Sequence, residues 1–516
     1  MRYKMKIEIT KTGARYAVAD ISGADSFSAT LNGKEITLGN TVNFIGQLSP
    51  DTEYVLRTAC GSDVAEAVFR TEKEFVTLDV RKFGAKGDGV TDDTVFIQAA
   101  IMACPENSRV LVTKGKYKVT SLFMKSGVNL EITGDAEIVA DNERFNHPIF
   151  EGMIQSYDEQ SEYNLGTWEG NPLKMFAGII TCLDVENVTI YGEGTINGNA
   201  THEDWWYNEK VMVGAFRPRL LFISRSRHVS VMGLTFKDSP SWTIHPYFSE
   251  SISLTALKIN NPQNSPNTDG IDVESCTNVI IEGVHFTLGD DCIAIKSGKI
   301  YMAKKYNVPS RSIYIRRCIM ENGHGAVTIG SEMSAGVRNV LVEDCVFNNT
   351  DRGLRIKTRR GRGDTAVVNN VTFRNITMNN VKTPFVVNCF YFCDPDGRTS
   401  YVQDRNPHPV DERTPHIKYL CFENINCVNS HFAAAFFMGL PERKISEIVM
   451  KNVNISLAEN PESGYAAMLC SIDEMSGRGI IAENVEKLTL DNVNIENCKG
   501  EKLEANNVDE IKEMGE

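Results

Sequence analysis

Three aspartates stand at positions where a repeating chain would bring their carboxyl groups together. Asp269 lies in the segment Asn267-Thr-Asp-Gly270, and Asp290 and Asp291 lie in Gly289-Asp-Asp-Cys292. Asp291 follows Asp269 by 22 residues, which is about one coil of a repeat fold. Like charges that close cannot all stay ionised cheaply, so one carboxyl group is expected to hold a proton near neutral pH. A protonated carboxyl group beside ionised ones is what general acid catalysis requires.

A histidine and two cationic residues follow on later repeats. His324 stands in Gly323-His-Gly325, and Arg355 and Lys357 flank Ile356. Residues two apart on a strand leave by the same face, so Arg355 and Lys357 can grip one anion while Ile356 points into the core. Further arginines extend this basic patch in a chain of net charge −13, which predicts a local site for an acidic ligand: Arg352, Arg359, Arg360 and Arg362.

Each of these features has an ordinary structural interpretation when it is taken alone. A single aspartate usually caps a turn, adjacent acids and Arg-x-Lys pairs usually face solvent, and Gly-His-Gly is usually a turn. Their order, at a spacing of roughly one repeat, favours a shared site. Because Asp290 and Asp291 are neighbours, both reach one cleft only if the backbone bends there, and Gly289 favours such a bend.

The elements that must position these side chains form a repeated unit, in which a polar residue precedes an apolar alternation and a turn. A repeat period between about 20 and 35 residues fits a parallel β-helix, in which each coil pairs with its neighbours around a shared core. Propeller blades need about 40 or more residues, and the leucine-rich consensus is absent, so both alternatives are disfavoured. The central apolar residues of successive units are Val229, Ile252, Val279, Ile313, Val340 and Val371.

The first 73 residues follow a different pattern. They alternate with a period of two and are broken by turn signals such as Asn32-Gly33, which predicts short antiparallel strands. Leu48–Tyr54 resembles the tyrosine-corner segment of fibronectin type III modules. We therefore predict an all-β chain, with a small fibronectin type III-like β-sandwich at residues 1–73, a charged linker at Thr71–Glu74 and a parallel β-helix catalytic domain at residues 74–516.

A single helix is expected in the β-helix domain. The segment Thr94–Cys104 has Asp92 as a candidate N-cap and is followed by Pro105 as a stop signal. The glycine-rich turn before it lacks the spacing of known phosphate-binding motifs, so it is interpreted as structural. The predicted apolar stripe of the helix consists of Phe96, Ala99, Ala100 and Ala103.

The composition excludes several classes of protein. The 516 residues include 54 Lys plus Arg against 67 Asp plus Glu, too acidic a balance for a general nucleic-acid coat. The sequence shows neither the apolar run of a signal peptide nor ~18 uninterrupted apolar residues, so we expect a cytoplasmic chain without a membrane partner. The 13 cysteines lack zinc-type pairing and are expected to be reduced and buried, so we expect no metal and no cofactor. The oligomeric state stays open.

The ordered motifs NTDG, GDD, GHG and RIK resemble those of the polygalacturonase family of inverting glycoside hydrolases, family 28. The similarity runs from about Val76 to the end of the chain and includes Ser239–Pro246. It implies a right-handed parallel β-helix, an acidic pectic oligosaccharide or polysaccharide as substrate, and cleavage of α-1,4-galacturonosidic bonds. The chain also resembles bacterial exo-acting members with a fibronectin-like leader. Long loops that would wall off one end of the cleft lie at about 141–178, 199–219 and 391–416.

By this resemblance, Asp290 is the general acid, while Asp269 and Asp291 hold and deprotonate the attacking water. His324 supports the acid through a hydrogen bond, and Arg355 with Lys357 binds the C6 carboxylate of galacturonate. Core packing explains each candidate sugar-stacking aromatic at least as well as sugar contact does. The further predicted substrate-binding residues are Asn267, Gly323, Trp242 and Tyr391, and the remaining stacking candidates are Trp205, Trp206 and Phe392.

Several alternatives stay open at this point. Within the same family, an endo-polygalacturonase or a rhamnogalacturonan or xylogalacturonan hydrolase would show similar motifs, although retention of both NTDG and RIK disfavours the rhamnogalacturonan enzymes. A pectate lyase of the same fold would cleave by β-elimination with calcium and an arginine base, and the order of the acids disfavours it. A β-helix adhesin or carbohydrate-binding protein would explain the repeats without catalysis.

Overall fold

A computed structural model describes residues 4–155 and 162–515 of the chain. Its main body is a sheet of 34 strands whose pairing is parallel from coil to coil, and two antiparallel sheets precede it. This architecture confirms the predicted all-β class, a right-handed parallel β-helix with a small N-terminal β-sandwich.

The β-helix has three faces, which we name the first, second and third sheets. The strands of the first sheet are Thr77–Asp79, Ser108–Val112, Val128–Ile132, Glu186–Gly192, Arg227–Met232, Glu250–Thr255, Thr277–Glu282, Ser310–Arg316 and Val337–Glu343. The strands of the second sheet are Asp88–Asp92, Gly115–Val119, Ala136–Ala140, Thr195–Asn197, Thr235–Lys237, Lys258–Asn260, His285–Thr287, Ile319–Glu321 and Val346–Asn348. The strands of the third sheet are Leu122–Phe123, Ile180–Leu183, Leu221–Ser224, Ile244–Tyr247, Ile271–Glu274, Asp291–Lys296, Gly325–Gly330, Arg352–Lys357, Thr383–Asn388 and Ala433–Met438.

Towards the C-terminus, single strands turn the corner from one face to the next. These long strands are Val367–Asn379, Tyr419–Ser430, Ile445–Leu457, Arg478–Glu496 and Leu503–Met514. The short strands outside this pattern are Ile149–Phe150, Met153–Gln155, Glu162–Asn164, Met175–Phe176 and His416–Ile417.

The repeat aligns equivalent apolar residues from coil to coil. Val229 pairs with Ile252, and Ile252 pairs with Val279. The register continues in the predicted order through Ile313, Val340 and Val371. All six side chains are at most 2% exposed, and burial of each contributes about 1.5–3 kcal/mol to folding. The continuous core therefore follows from the apolar period of the sequence.

The polar residue that precedes each apolar unit makes the turn into it. Asn187, Asn278 and Asn339 all have φ angles between 55° and 58°, a left-handed conformation that asparagine tolerates better than most residues. Neighbouring asparagines also bond to one another, as Asn370 Nδ2 does to Asn339 Oδ1 at 2.9 Å. The asparagine-rich repeat thus serves backbone conformation and the stacking of coils together.

The N-terminal part consists of two antiparallel sheets. The hydroxyl of Tyr54 accepts a hydrogen bond from the Ser49 N–H at 2.8 Å, as the tyrosine-corner resemblance predicts. Pairing changes from antiparallel to parallel between Arg70 and Thr77, an interval that contains the predicted domain boundary; the division into two domains stays a prediction. The strands are Lys6–Thr12, Ala17–Ser22 and Val42–Ile45 in one sheet, and Ser28–Leu31, Lys34–Ile36, Glu53–Cys60 and Asp63–Arg70 in the other.

The predicted linker at Thr71–Glu74 is held firmly in place. Thr71 Oγ1 donates to the carbonyl oxygen of Ser49 at 2.6 Å, and Glu74 pairs with Arg15 at 2.7 Å. Arg109 of the β-helix also lies 3.4 Å from Glu74. The charged residues of the predicted linker therefore have partners on both sides of the junction.

The predicted helix is present at Thr94–Ala103, but three details differ. Its N-cap is Asp93, and its buried residues are Ile97, Ala100 and Ile101, so the apolar face is rotated from the predicted stripe. Two more helices, at Ile300–Tyr306 and Ser400–Gln403, contradict the expectation of a single helix. Short 3-10 turns occupy Val80–Phe83 and Arg144–Asn146.

The helices also bear on the question of a membrane anchor. Within residues 4–155 and 162–515, none is long and apolar enough to cross a bilayer. The cytoplasmic location expected from the sequence gains no support from this finding and stays a prediction.

Candidate active site

The three aspartates meet at the edge of the third sheet. Ile271 pairs with Ile293 in neighbouring strands, so Asp269 is in register with Asp291 one coil later. The Gly270 N–H donates to the Asp291 carbonyl oxygen at 3.0 Å. One carboxylate oxygen each of Asp269, Asp290 and Asp291 lies within 4.8 Å of the other two. The repeat register thus places the three acids together, as their spacing predicts.

The backbone bends where two neighbouring acids must reach one cavity. Gly289 and Asp290 form a bend directly before the strand Asp291–Lys296. A Cβ atom on Gly289 would lie 1.9 Å from the carbonyl oxygen of Gln263, so only glycine fits there. Asp290 is half-exposed, Asp291 is buried, and both line the cavity. The irregular backbone predicted at this step is therefore present.

Gly323 supports this bend from the next coil. A Cβ atom on Gly323 would lie 2.6 Å from the Asp290 carbonyl oxygen. The same carbonyl accepts a hydrogen bond from the His324 N–H at 3.0 Å. Among the described residues, Gly323 packs beneath Asp290 and does not line the cavity. Its predicted substrate contact is therefore replaced by a structural role, since a side chain would push Asp290 away.

Arg355 and Lys357 hold Asp291. Arg355 Nη1 lies 3.0 Å from Asp291 Oδ1, and Lys357 Nζ lies 2.8 Å from Asp291 Oδ2. Burial alone would raise the pKa of Asp291, but Lys357 and Arg355 outweigh it and hold the pKa far below its usual range. Ile356 points into the core as predicted. The two cations do share one anion, but in this structure that anion is Asp291 and not a ligand.

Asp269 has the opposite electrostatic environment. It is only 4% exposed. Burial raises the pKa of Asp269 well above its usual value, and the neighbouring carboxylate of Asp290 raises it further. The environment of Asp269 therefore favours its protonated form, which is the direction that the sequence predicts for one carboxyl group of the cluster.

The acid cluster raises the question of a bound cation, because three carboxylates can ligate a metal. Both oxygens of Asp291 already accept contacts from Arg355 and Lys357. Two positive charges at this point repel a third, so the arrangement favours proton transfer over metal binding.

Acidic side chains neutralise the arginines of the predicted basic patch. Arg359 pairs with Asp396 at 2.7 Å, and Arg360 pairs with Glu442 at 2.6 Å. The remaining contacts are those of Arg362 with Asp394 and of Arg352 with Asp351. Each arginine of the predicted local patch therefore has an acidic partner: Arg352 pairs with its neighbour, and the other three pair with acids 32 to 82 residues away, which local spacing does not reveal.

His324 pairs with an acid that sequence reasoning missed. Its Nδ1 lies 2.7 Å from Asp351 Oδ2. This hydrogen bond is the main cause that raises the pKa of His324 above its usual value; burial opposes it, and the charge of Asp290 adds to it. Among the described residues, the His324 ring hydrogen-bonds to Asp351. The resemblance instead implied a hydrogen bond to the general acid, Asp290. Asp351 follows His324 by 27 residues, about one coil, and this spacing could have identified it.

Replacement of Asp351 by Asn is expected to narrow the pH range of activity from the alkaline side. Because the pKa of His324 is raised, the stabilisation that its protonated ring provides is complete below the usual histidine pKa of about 6.5. That stabilisation is lost as pH rises through the raised value. The pKa of Asp351 is held below its usual range, so the stabilisation that its ionised carboxylate provides is lost only as pH falls through that low value. Asp351→Asn should therefore lower the pKa of His324, as an NMR titration and the pH profile of kcat/KM would show.

Glu321→Gln is the matched control for this change, because Glu321 pairs with His285 at 2.9 Å on the second sheet, away from the cavity. That variant should keep the wild-type pH profile. An unchanged His324 titration in Asp351→Asn would contradict the role assigned to the pair.

The predicted sugar-stacking residues fall into two groups. Trp242 and Tyr391 line the cavity, although they are only 4% and 9% exposed. Trp242 lies between cations, with Arg219 at 4.4 Å and Lys296 Nζ at 4.2 Å from its ring centroid. Trp205 is fully buried and, with Trp206, belongs to a separate apolar cluster. Core packing, which the sequence favoured at least equally, accounts for both.

Two further polar residues complete the cavity wall. Asn267 Oδ1 accepts a hydrogen bond from Arg217 at 2.8 Å, and Asn267 lines the cavity as predicted. Lys296 bridges Asp272 at 3.3 Å and Glu332 at 3.1 Å. The sequence analysis missed Lys296, although a lone cation at the end of the apolar strand Asp291–Lys296 was an available signal.

Inserted segments line the cavity, which has a volume of about 330 Å³. Each of the three predicted long loops contributes to its wall: Glu169 comes from the first, Lys210 from the second, and Tyr391 and Asp394 from the third. Met468 adds a fourth contact from a later segment. Residues 156–161 of the first loop lie outside the described residues. The site is therefore a pocket bounded by loops, with the acids at its base.

Comparison with known proteins agrees with this geometry. The family model for glycosyl hydrolases family 28 matches residues 107–470. A probable polygalacturonase from Vitis vinifera is 29% identical over 442 residues, which cover 81% of this chain and 85% of the relative. An endo-polygalacturonase from Pectobacterium parmentieri is 32% identical over 313 residues, which cover 58% of this chain and 72% of the relative.

Solved structures show the same architecture. The family 28 exopolygalacturonase of Yersinia enterocolitica superposes with a TM-score of 0.75 at 18% identity and covers 99% of this chain and 98% of its own, so it shares the fold. An exopolygalacturonase from Thermotoga maritima has a TM-score of 0.65 at 25% identity and covers 81% of this chain and 91% of its own. With the family match over residues 107–470, these findings show that the chain belongs to glycosyl hydrolases family 28, the polygalacturonase family.

Proposed function

We propose that this glycoside hydrolase cleaves α-1,4-galacturonosidic bonds of polygalacturonate and pectic oligosaccharides, with inversion and from a chain end. The observation that carries the proposal is the cluster of Asp269, Asp290 and Asp291 within 4.8 Å, held beside two buried cations at the base of a loop-bounded pocket. General acid, general base and a binding group for a uronate are thereby present together.

The roles of the three acids follow from their exposure and charge. Asp290 is partly exposed and lines the cavity, so it is placed to give the proton that the cluster holds to the glycosidic oxygen as the bond to C1 breaks. Burial and Asp290 raise the pKa of Asp269, so Asp269 can supply that proton to Asp290 before each turnover. Asp291 is ionised and accepts the proton that water loses when its oxygen bonds to C1. One proton thus leaves the cluster and one returns to it.

The distance between the acids makes stereochemistry a sharp test. Catalytic carboxyl groups about 6.5–9.5 Å apart are typical of inverting enzymes, and separations of about 5–5.5 Å are typical of retaining ones. The present spacing, taken alone, favours retention. Two observations favour inversion: Arg355 and Lys357 occupy both oxygens of Asp291, and the raised pKa of Asp269 favours its protonated form, so neither is a free nucleophile. Water between them is then the attacking group.

The contacts of Arg355 and Lys357 with Asp291, which we call the clamp, also account for a preference for acidic sugars. Two cations lower the pKa of Asp291 and make it a weak base in the free site. A uronate carboxylate that contacts Arg355 and Lys357 would share their donors, weaken the clamp and raise the basicity of Asp291. Binding of the correct sugar would thereby activate the base, whereas neutral galactose would leave it clamped.

Closure of the pocket supports attack at a chain end. The loops that carry Glu169, Lys210 and Asp394 all reach the cavity wall, and a closed pocket admits a terminus more readily than the middle of a polymer. An endo-polygalacturonase, or a rhamnogalacturonan or xylogalacturonan hydrolase, would need an open groove or a different set of subsites. The solved Yersinia enterocolitica and Thermotoga maritima proteins are exopolygalacturonases, which adds support to the exo assignment.

Product analysis on polygalacturonate and defined oligogalacturonides tests the proposal. We expect short products from the first minutes, without a spread of intermediate sizes, and proton NMR should show the β-anomer of the new reducing end forming first. A spread of intermediate lengths would contradict exo-attack, and an initial α-anomer would contradict inversion. Unsaturated products that absorb ultraviolet light would indicate a lyase, and absence of any product would favour the carbohydrate-binding alternative.

A further inference from the structure

A second cavity lies on a different face of the molecule, between the N-terminal sheets and the outer surface of the first sheet. Its volume is about 770 Å³, against about 330 Å³ for the active-site cavity. Lys11 and Tyr16 form part of one wall, and Ser230 and Ser253 form part of the floor. The active-site acids lie at the edge of the third sheet, so this groove is separate from the catalytic pocket.

The two walls of the groove are fixed to one another. The rings of Tyr16 and Tyr191 pack with centroids 4.9 Å apart. Arg316 of the β-helix pairs with Asp20 of the N-terminal part at 2.6 Å, and both side chains are less than a fifth exposed. A cavity bounded by buried contacts of this kind keeps its shape, so its floor is a preformed surface.

The floor presents a regular column of outward-facing side chains. Thr189, Ser230 and Ser253 are in register on successive coils, and Ile280 and Tyr314 continue the column. Neighbouring strands are about 4.8 Å apart, so the column offers one side chain at each such step along the β-helix axis. Ser230 is 8% exposed, and Lys11 Nζ already donates a hydrogen bond to its hydroxyl oxygen, so a bound chain would contact Ser253 and the neighbouring coils more directly. A second column of polar residues lies beside it: Asn187, His228, Ser251, Asn278 and Ser312.

The chemistry of the floor differs from that of the active site. Hydroxyl and amide groups can both donate and accept hydrogen bonds, which matches the hydroxyl groups of a sugar. The charges on the wall balance: Lys11 and Lys73 face Glu72 and Glu74, and Glu74 is already paired with Arg15 at 2.7 Å. Among the described lining residues there is no cationic pair like the one that holds Asp291. The groove therefore suits a ligand rich in hydroxyl groups and poor in carboxylates.

A peptide ligand fits this surface less well. Extended peptides usually bind by adding a strand to an exposed sheet edge. The floor strands Arg227–Met232 and Glu250–Thr255 are each paired on both sides by neighbouring coils, so they offer side chains and no free edge. We propose that the groove binds a neutral glycan chain along the β-helix axis and holds it apart from the catalytic pocket.

Calorimetric titration of the full chain with cellohexaose, mannohexaose and β-1,4-galactohexaose tests this inference. At least one neutral hexasaccharide is expected to bind at one site per chain. Ser253→Arg places a long side chain in the groove and should weaken that binding by about tenfold or more. Ser251→Arg, from the adjacent column, is a second blocking variant with the same expected result.

Thr372→Arg is the matched control. Thr372 continues the same outward column two coils beyond Tyr314 and lies outside the groove, so its variant should bind as wild type does. Failure of all three hexasaccharides to bind, or equal binding by both blocked variants and the control, would overturn the inference. Binding of hexagalacturonate alone, lost in Ser253→Arg, would overturn the assignment to neutral glycans. These probes carry no galacturonosidic bond except the last, so the result does not depend on the proposed hydrolase activity.

Discussion

Replacement of Asp290 by Asn is expected to lower turnover of polygalacturonate by about 10²–10⁴-fold. Asn has the same shape but cannot give a proton to the glycosidic oxygen. The change also removes the negative charge that raises the pKa of Asp269, so Asp269 should hold a proton less readily as well. Release of reducing ends under saturating substrate measures the effect, and sugar release at the wild-type rate would remove Asp290 from the mechanism.

Two features make this variant informative. The Asp291 N–H donates to Asp290 Oδ1 at 2.9 Å, and the carbonyl oxygen of Asn can accept the same bond, so the bend is expected to stay intact. Asp344→Asn is a suitable control, because Asp344 lies at a turn with a φ of 54° and bonds to Asn375 at 3.0 Å, remote from the cavity. Asn tolerates such a turn, and this variant should keep full activity.

Replacement of Lys357 by Met is expected to impair both stability and catalysis. Lys357 Nζ lies 2.8 Å from Asp291 Oδ2, and the Asp291 side chain is 1% exposed. Removal of one partner of a buried ion pair costs about 3–5 kcal/mol because the remaining charge is left uncompensated. Arg355 still contacts Asp291, so we expect a loss near the lower end, about 3 kcal/mol. Loss of a charge-assisted contact to the uronate should also lower kcat/KM by about 10–100-fold.

The double variant Asp291→Asn with Lys357→Met separates the two effects. It removes the buried carboxylate and one of its two cations but leaves buried Arg355 without an anion, so its thermal midpoint in calorimetry should lie below that of Lys357→Met. Its activity should nevertheless be lower than that of Lys357→Met, since the base is gone. A double variant as stable as the wild type would show that the buried ion pairs of Asp291 do not stabilise the fold.

The arrangement of the acids could be predicted because it depends on a period. Once Val229, Ile252 and Val279 are recognised as equivalent positions, the coil register follows, and the spacing from Asp269 to Asp291 becomes a statement about distance. Even the bend at Gly289 follows, since two neighbouring side chains can share one face only if the strand is interrupted. Backbone pairing between coils is a local consequence of repeat length, so sequence spacing carries it.

The partners of the charged side chains could not be predicted in this way. The sequence predicted that Arg355 and Lys357 bind the carboxylate of a ligand. In the structure both side chains instead contact Asp291, which is 64 and 66 residues away in the chain. Arg360 pairs with Glu442, which is 82 residues distant. His324 bonds to Asp351 because its ring turns towards the following coil. Spacing along a repeat indicates which backbone positions are adjacent, but it does not show which way a side chain turns.

The sequence by itself determined the all-β class, the order and register of the coils, and the meeting of three aspartates beside two cations. Only the tertiary structure decided the electrostatic state of each acid, the neutralisation of the arginine patch, the closure of the pocket by loops and the groove beneath the N-terminal sheets. The physical reason is that coil register is set by local backbone pairing, whereas pKa shifts, ion pairs and cavities arise from burial and contacts among segments far apart in the chain.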